Sequence, residues 1–335
     1  HVCPSYSCSE TAGGPRTAMS IKTLIRRAKQ EAKQDAAAEP VGAEGTAEEA
    51  LVLPAGLGAI SEESLLGGLR RVHLLEDWLP PEAEALLLRN LRARSRDFLQ
   101  LRGKRTARFG GDPGPPFVAE PLPPWLAHLC GAVAAATAAD AATSGAGQPT
   151  PNHVLVNHYR PGEGIMPHTD GPAYEPRAAI LSLGSAAVFD FWRDHAHVAS
   201  GRPPALSLLL PPRSLLLFSG EAYAAHLHGI AERRFDELHP GLANWTEASR
   251  ARWASASSPA AAASDGSRTA AWASRQLDLP PGAALATAGA PGVCPGELAA
   301  LPASCSLRRE ERYSLTIRRV PPADGVPPGV APPAG

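Results

Sequence analysis

A chain of 335 residues fits one enzyme domain with flanking tails better than two packed domains. Its 35 prolines and 31 glycines indicate long loop or disordered stretches, because such segments bury too little apolar surface to offset the entropy lost on ordering. The formal net charge of −1 excludes a protein that binds polyanions through its overall charge, so any contact with nucleic acid needs a local basic patch.

Composition divides the chain into four parts. Residues 1–68 are polar and then rich in alanine and glycine, which predicts a mostly disordered region. One folded domain is expected to combine residues 69–238 with residues 306–321. A low-complexity insertion, 239–305, interrupts it, and a tail rich in proline and glycine follows at 322–335.

The first elements of the folded domain are a strand and a helix. Arg71-Val-His-Leu-Leu favours a strand, and the prolines at 80 and 81 suit the start of a helix that continues to about Arg96. Residues 131–150 are mostly alanine, threonine and glycine, so they are expected to form either an exposed weak helix or a linker.

Short apolar runs separated by turn residues follow. The runs are His153–Tyr159, Ala179–Leu183, Val188–Trp192, Leu206–Leu210, Ser214–Phe218 and Ala224–Ile230. Strands at this spacing indicate an all-β sandwich or barrel core with flanking helices. The pattern returns only at Arg312–Val320, and because a lone strand cannot form a core, this strand must pair back into the earlier sheet.

The five cysteines include no Cys-x-x-Cys pair, which indicates a reducing compartment without a disulfide framework. No uncharged apolar window of about 18 residues is present, so no transmembrane helix and no membrane partner are expected. These observations favour a monomer in the cytoplasm, the nucleus or both.

Three side chains form a candidate metal site. His168 and Asp170 face the same way in an extended segment, so both can bind one ion. A second histidine comes from His226-Leu-His228, and alternation does not choose between the two, although Gly229 favours His228 by allowing close backbone approach. Two histidines and one carboxylate leave coordination positions open, as non-haem iron(II) requires for a bidentate co-substrate and O₂.

The C-terminal strand carries two arginines on one face. Arg312, Ser314, Thr316 and Arg318 alternate with the apolar set Tyr313, Leu315 and Ile317. Two buried arginines are costly without anions, and their separation leaves room for a five-carbon dicarboxylate. The alternative is a solvent-facing basic edge strand that prevents aggregation. The metal triad upstream favours the first interpretation.

Asn157 and Tyr159 form a matching pair on the strand His153–Tyr159. Both share one face, and both side chains can donate hydrogen bonds to a carboxylate. Tyrosines in buried strands are also common as ordinary core residues, so this pair is supporting evidence only.

Taken in order, these motifs resemble the AlkB-like iron(II)- and 2-oxoglutarate-dependent dioxygenases. The similarity rests on Asn157-x-Tyr159-x-Pro161-Gly162, His168-x-Asp170, Ser182-Leu-Gly184, His228-Gly-Ile230 and Arg312-Tyr-x-Leu-Thr-x-Arg318. It covers about half of the chain, and it is greatest to the group formed by the sixth animal AlkB homologue and its plant and algal relatives.

The resemblance implies a double-stranded β-helix, also called a jelly roll, with Fe(II), 2-oxoglutarate and O₂ as cofactor and co-substrates. His168, Asp170 and His228 would bind iron. Arg312, with Asn157 and Tyr159, would hold the distal carboxylate of 2-oxoglutarate, and Arg318 the end nearest the metal. The activity implied is oxidative demethylation of alkylated RNA or DNA.

Departures from the family pattern are present, and one of them is the insertion that separates His228 from Arg318. The DNA-repair members carry an acidic residue shortly after the metal aspartate, where this chain has Gly171-Pro-Ala-Tyr174. Ser314 replaces an asparagine that helps to hold the co-substrate in the bacterial relative. The lack of that acidic residue bears on base specificity and not on the metal chemistry.

A basic cluster predicts where nucleic acid binds. We expect Arg102, Lys104, Arg105 and Arg108 to form a phosphate-binding rim, with Phe109 stacking on a base. The alternative for such a cluster is a solvated helix face followed by a basic loop.

Two other functions stay open at this point. One is a protein hydroxylase or demethylase on the same fold. The other is a nucleic-acid-binding module with a vestigial metal site, which the intact triad and intact arginines argue against.

Overall fold

The computed structural model describes residues 48–62, 64–141, 149–256, 275–278 and 301–321. The disorder predicted for residues before 48, the tail after 321 and most of the predicted low-complexity insertion therefore lie outside the described residues. None of the described helices is long and apolar enough to cross a membrane.

Seven antiparallel strands form the larger sheet. They are β1 (Val72–Leu75), β2 (Leu99–Leu101), β3 (Lys104–Phe109), β6 (His153–Tyr159), β8 (Arg177–Gly184), β11 (Leu215–Ser219) and β16 (Arg312–Arg318). Their spatial order is β1-β11-β8-β16-β6-β3-β2. The C-terminal strand β16 thus lies in the middle of the sheet between β8 and β6, which confirms that it pairs back into the earlier strands.

Four strands form a smaller sheet that faces the larger one. They are β7 (Ile165–His168), β9 (Ala187–Trp192), β10 (Leu206–Leu210) and β12 (Leu227–Ile230), in the order β10-β9-β12-β7. The two sheets enclose a buried apolar layer that includes Phe189 and Phe191 from β9 and Phe218 from β11. Two facing antiparallel sheets of this kind form a double-stranded β-helix, which confirms the predicted fold.

Two long helices, α1 (Pro81–Ala93) and α2 (Pro124–Ala136), cover the outer face of the larger sheet, and three shorter helices lie elsewhere. The shorter helices are α3 (His195–Ala199), α4 (Glu221–Ala224) and α5 (Glu247–Ala256), and short 3₁₀ turns lie at Ser95–Asp97 and Ala138–Ala141. Leu87 of α1 and Leu129 of α2 are fully buried against the outward-facing residues of β6 and β16. Because α1 and α2 pack against the outer face of the larger sheet, the candidate site lies on its inner face.

The prediction of an exposed helix or linker is wrong for residues 131–136. These residues complete α2, and Val133 and Ala136 are buried in the same apolar cluster as Trp125. The apolar face of α2 begins at Trp125 and continues at helical spacing through Val133. Ala136 in the last turn lies on the same face and is therefore buried as well. Residues 142–148 lie outside the described part of the chain.

Packed structure extends beyond both predicted domain boundaries. Leu51 and Ile60 are buried in the core although they precede residue 69. On the other side, Trp245 and Trp253 lie in a third buried cluster that covers Val188 of the smaller sheet. Next to this cluster lies a three-stranded sheet of β13 (Phe235–Leu238), β15 (Cys305–Arg308) and β14 (Leu277–Asp278), and β4 (Gly111–Asp112) pairs with β5 (Val118–Ala119) elsewhere.

Candidate metal centre

Two neighbouring strands of the smaller sheet bring the candidate metal ligands together. His168 ends β7 and pairs directly with His228 of β12, so that the ring centroids lie 4.5 Å apart. Asp170 follows β7, and one potential ligand atom from each of the three residues lies within 4.8 Å of the others. His226 lies outside this group because β12 begins at Leu227; its Nδ1 is 3.2 Å from the carbonyl oxygen of Glu221.

Burial keeps both histidines neutral. It lowers the pKa of His228 to about 3, and the neighbouring charge of His168 contributes in the same direction. Burial also lowers the pKa of His168, whose Nδ1 lies 2.9 Å from the carbonyl oxygen of Met166. An Nδ1–H that donates to this carbonyl leaves Nε2 free for a metal. Neutral imidazoles are the form that binds metal ions.

The unsatisfied atoms at the site fit a divalent cation. Arg318 Nη1 donates to Asp170 Oδ1 at 2.7 Å, but Oδ2 of the same carboxylate is buried and has no hydrogen-bond partner among the described residues. His228 Nδ1 is also buried, and none of the described residues forms a hydrogen bond with it. Two imidazoles and a carboxylate with open positions are the ligand set of non-haem iron(II) enzymes.

Arg312 is a buried cation that lacks an anion. Its Nη2 donates to Ser182 Oγ at 2.9 Å, and Nε and Nη1 have no partner within the described residues. Burial lowers its pKa to about 10, so the guanidinium stays charged at neutral pH. Since an unpaired buried charge is costly, the site fits an anionic group such as a carboxylate.

Asn157 and Tyr159 lie beside Arg312 on the inner face of the sheet. Tyr159 pairs with Arg312 across β6 and β16, and its ring centroid is 5.7 Å from the guanidinium carbon. Asn157 Oδ1 is buried and, among the described residues, unpartnered. Burial raises the pKa of Tyr159 to about 12, so its phenol stays protonated and can donate a hydrogen bond.

The two arginines of β16 occupy different places along the strand. Arg318 contacts the metal-site carboxylate of Asp170, and its guanidinium carbon lies 3.7 Å from the centroid of the Tyr174 ring. Arg312 lies six residues earlier, a separation of roughly 20 Å along an extended chain. Side chains that reach inward from both ends leave a space that fits a dicarboxylate with one end near the metal.

Sequence reasoning did not assign roles to three residues near this site. Ser182 contacts Arg312, Tyr174 stacks on Arg318, and the Tyr223 hydroxyl is buried with no partner in the described structure. Ser182 had a usable signal, because it is a polar residue in an otherwise apolar strand. Tyr174 and Tyr223 lie in segments that connect strands, and residue spacing does not predict which way side chains point in such segments.

The predicted basic rim is divided between two faces of the sheet. Lys104 and Arg108 lie on the face of β3 that carries Thr106, opposite Asn157 in the neighbouring strand. Arg105 lies on the other face, where it donates to the Ser95 carbonyl at 2.9 Å. Arg102, in the turn before β3, is exposed.

The prediction that Phe109 stacks on a base is wrong. Phe109 is 6% exposed and lies in the apolar cluster behind the sheet, where its ring meets Trp125 edge-on at a centroid distance of 6.3 Å. Alternation along β3 places Phe109 with Ala107 and away from the inner face, so it packs against the helices.

Comparison with known proteins agrees with this geometry. Residues 100–318 match the family described as the 2OG-Fe(II) oxygenase superfamily. The chain therefore belongs to this superfamily of 2-oxoglutarate-dependent dioxygenases, and it is similar to AlkB-like members. Its cofactors are accordingly Fe(II), 2-oxoglutarate and O₂.

Individual relatives narrow the similarity. A Danio rerio protein named probable RNA/DNA demethylase ALKBH6 is 38% identical over 167 residues, which are 48% of this chain and 68% of that protein. The Xenopus tropicalis tRNA (carboxymethyluridine(34)-5-O)-methyltransferase alkbh8 is 39% identical over 89 residues, or 26% of this chain and 13% of that longer protein. The solved structure of OsALKBH1 superposes with a TM-score of 0.42 and 14% identity, covering 75% of this chain and 99% of that one.

Proposed function

We propose that this dioxygenase removes N-methyl groups from RNA or DNA by oxidation. The observation that carries the proposal is the group of His168, Asp170 and the buried His228, which lies beside two buried arginines on one strand. Iron would be held by His168, Asp170 and His228, and 2-oxoglutarate by Arg312, Asn157, Tyr159 and Arg318.

The co-substrates account for the chemistry of the reaction. When bound, Fe(II) would supply the oxidation chemistry that couples conversion of 2-oxoglutarate and O₂ to succinate and CO₂ with insertion of one oxygen atom into a substrate C–H bond. An N-methyl group becomes an N-hydroxymethyl group, which releases formaldehyde and leaves N–H. The protein needs no general base for this conversion.

The protein residues would position 2-oxoglutarate and balance the charges in the site. Arg312 and the Tyr159 phenol would meet one carboxylate of 2-oxoglutarate in a space shielded from water, where each charge-assisted hydrogen bond is strong. Arg318 balances the charge of Asp170 at the other end. The neutral imidazoles of His168 and His228 can bind iron without first losing a proton.

A nucleic acid as substrate is supported by two observations. The Danio rerio relative is named a probable RNA/DNA demethylase. In addition, Lys104 and Arg108 face inward from a strand near the open side of the site, and Arg102 is exposed beside them. We therefore restrict the proposed basic rim to Arg102, Lys104 and Arg108, since Arg105 faces the other way.

The test measures formaldehyde and succinate from purified protein supplied with Fe(II), ascorbate, 2-oxoglutarate and a panel of N-methylated oligonucleotides. We expect His228→Gln and Arg318→Ala to lose turnover at least a hundredfold. His226→Gln is the matched control, because His226 is a buried histidine two residues from His228 and outside the metal group.

Two outcomes contradict the proposal in different ways. Turnover of 2-oxoglutarate without formaldehyde from any methylated oligonucleotide, together with hydroxylation of a peptide, would assign a protein substrate instead. Nucleic-acid binding without any 2-oxoglutarate turnover in the iron-loaded protein would assign a binding module.

A further inference from the structure

Lys104 lies on the inner face of the larger sheet. Along β3 the residues Ala107 and Phe109 belong to the apolar cluster behind the sheet, so Lys104, Thr106 and Arg108 alternate onto the opposite face. Thr106 pairs with Asn157 in the neighbouring strand. Lys104 therefore shares its face with the residues that would hold 2-oxoglutarate.

The turn before Lys104 is fixed against the segment that leads into the metal-binding strand. Gly103 has a φ of +78°, and its carbonyl oxygen accepts a hydrogen bond of 3.0 Å from the amide of Gly164, directly before β7. A Cβ at Gly103 would lie 2.9 Å from Glu232 Oε1 and 3.2 Å from the Gly164 carbonyl oxygen. The close approach and the positive φ both require glycine here.

This contact places Lys104 at the open side between the two sheets. Strand β7 is at one edge of the smaller sheet, and the β2–β3 hairpin is at one edge of the larger sheet. Arg312 and Arg318, by contrast, are on the central strand β16. A substrate that enters the metal site from the open side would pass Lys104. The co-substrate would instead bind deeper in the site, at Arg312 and Arg318.

The ammonium group of Lys104 faces the metal site without a fixed partner. The side chain is half-buried, and within the described residues it makes no hydrogen bond or ion pair. Burial lowers its pKa to about 8, while the charge of Asp170 raises this pKa and that of Arg318 lowers it. A lysine that guards an exposed sheet edge against aggregation would instead extend into solvent.

We propose that Lys104 contacts the methylated base and selects neutral bases that present a carbonyl oxygen beside the methylated nitrogen. The inference rests on the proposed nucleic-acid demethylation. A base must leave its stack to reach a buried active site, where it is recognised through hydrogen bonds to its edge. The ammonium can donate to such a carbonyl, and it repels a base that carries a positive charge.

The segment after Asp170 agrees with this selectivity. Gly171, Pro172, Ala173 and Tyr174 provide no carboxylate that would offset the charge of a cationic base. The only carboxylate of the metal group, Asp170, is already paired with Arg318. Bases that are cationic when methylated, such as 3-methylcytosine, are therefore expected to be poor substrates, and 3-methyluracil a good one.

The experiment compares two oligonucleotides that differ only in one base, 3-methyluridine or 3-methylcytidine. Formaldehyde release gives kcat/KM for each, and we expect the wild-type protein to favour 3-methyluridine at least tenfold. Lys104→Met should lower kcat/KM for 3-methyluridine about tenfold and remove the preference. Lys104→Arg should keep the preference, and Lys104→Glu should shift it towards 3-methylcytidine.

Arg105→Met is the matched control, since Arg105 is the next residue of β3 and faces the other way. It should behave as the wild type does. Equal effects of Arg105→Met and Lys104→Met, no preference in the wild type, or a tenfold rise in the KM for 2-oxoglutarate in Lys104→Met would each overturn the role of Lys104. A wild type that demethylates no oligonucleotide would refute the proposed function itself, and this inference with it.

Discussion

Arg312 shows how a residue can be kept at the expense of stability. Its guanidinium is 3% exposed, and the Ser182 hydroxyl is its single hydrogen-bond partner among the described residues. A buried charge with so few partners destabilises a folded protein, and a buried anion reverses the effect. The protein without co-substrate is therefore expected to carry strain at this residue that binding relieves.

We predict that Arg312→Met leaves the melting temperature of the co-substrate-free protein unchanged or raises it. Because the variant loses about 2–5 kcal/mol of interaction with the carboxylate, it should also lose the stabilisation that 2-oxoglutarate gives the wild type. Differential scanning calorimetry with and without 2-oxoglutarate measures both effects. The control is Arg308→Met, whose side chain is 58% exposed. A lower melting temperature with a retained ligand shift would show that Arg312 is structural.

At the residue scale, the sequence predicts those site residues whose positions depend only on the alternation of side chains along a strand. His168 and Asp170 follow from two-residue spacing, and so does the shared face of Arg312 and Arg318. The choice of His228 over His226 depends on where β12 begins, which spacing cannot show. The sequence did not separate Lys104 from Arg105, because it did not identify β3 as a strand with two faces, and the basic rim stays a prediction.

At the scale of elements, one buried ion pair joins several strands around the site. Arg309, just before β16, donates twice to Asp236 of β13, with both distances 2.6 Å. Its Nη1 also donates to the carbonyl of Ala231, which directly follows β12. The Asp236 carboxylate is fully buried and accepts a further bond from the amide of Val188 in β9. The Arg309–Asp236 ion pair therefore fixes the end of β12, the strand that carries His228.

We predict that Asp236→Leu destabilises the protein by about 3–5 kcal/mol, because Arg309 is left as a buried charge without an anion to pair with. Arg233→Met removes the other ion-pair partner of Asp236, but that side chain is 41% exposed and the loss should be below about 1 kcal/mol. Urea unfolding followed by circular dichroism compares the two variants. Equal losses would mean that burial does not determine the strength of this pair.

Strands that bury apolar runs were predicted, and polar strands were missed. The run Leu206–Leu210 matches β10 residue for residue. Strand β3 contains three basic residues, and its structure depends on pairing with β6, which local sequence does not reveal. Strand β7 contains a proline, which argues against a strand when only the local sequence is considered. In each case a tertiary contact overrides local preference.

At the scale of the whole molecule, tryptophans attach the segment after β13 to the smaller sheet. The rings of Trp245 and Trp253 lie 5.2 Å apart, and Trp245 Nε1 donates to the Ala303 carbonyl at 3.0 Å. These two rings therefore anchor a segment that composition alone predicts to be low in complexity. Trp272 lies outside the described residues. The monomeric state and the cytoplasmic or nuclear location stay predictions.

We predict that Trp245→Ala lowers the free energy of unfolding by about 3–5 kcal/mol, since it removes a buried ring and leaves a cavity. Phe235→Ala serves as the control, because Phe235 is 45% exposed and the change should stay within about 1 kcal/mol. Circular dichroism in urea is suitable, as it does not depend on tryptophan fluorescence. If Trp245→Ala unfolds at the wild-type urea concentration, the third cluster does not stabilise the domain.

The position of β16 has a consequence for how the protein is made. During synthesis on the ribosome, β6 and β8 emerge long before the strand that separates them, and they cannot complete the larger sheet until Arg312–Arg318 has been translated. Until then the nascent chain exposes two unpaired strand edges, which are prone to aggregation. A chain that stops before this strand therefore lacks both arginines and has an open sheet, so we expect incomplete products to be inactive and prone to aggregate.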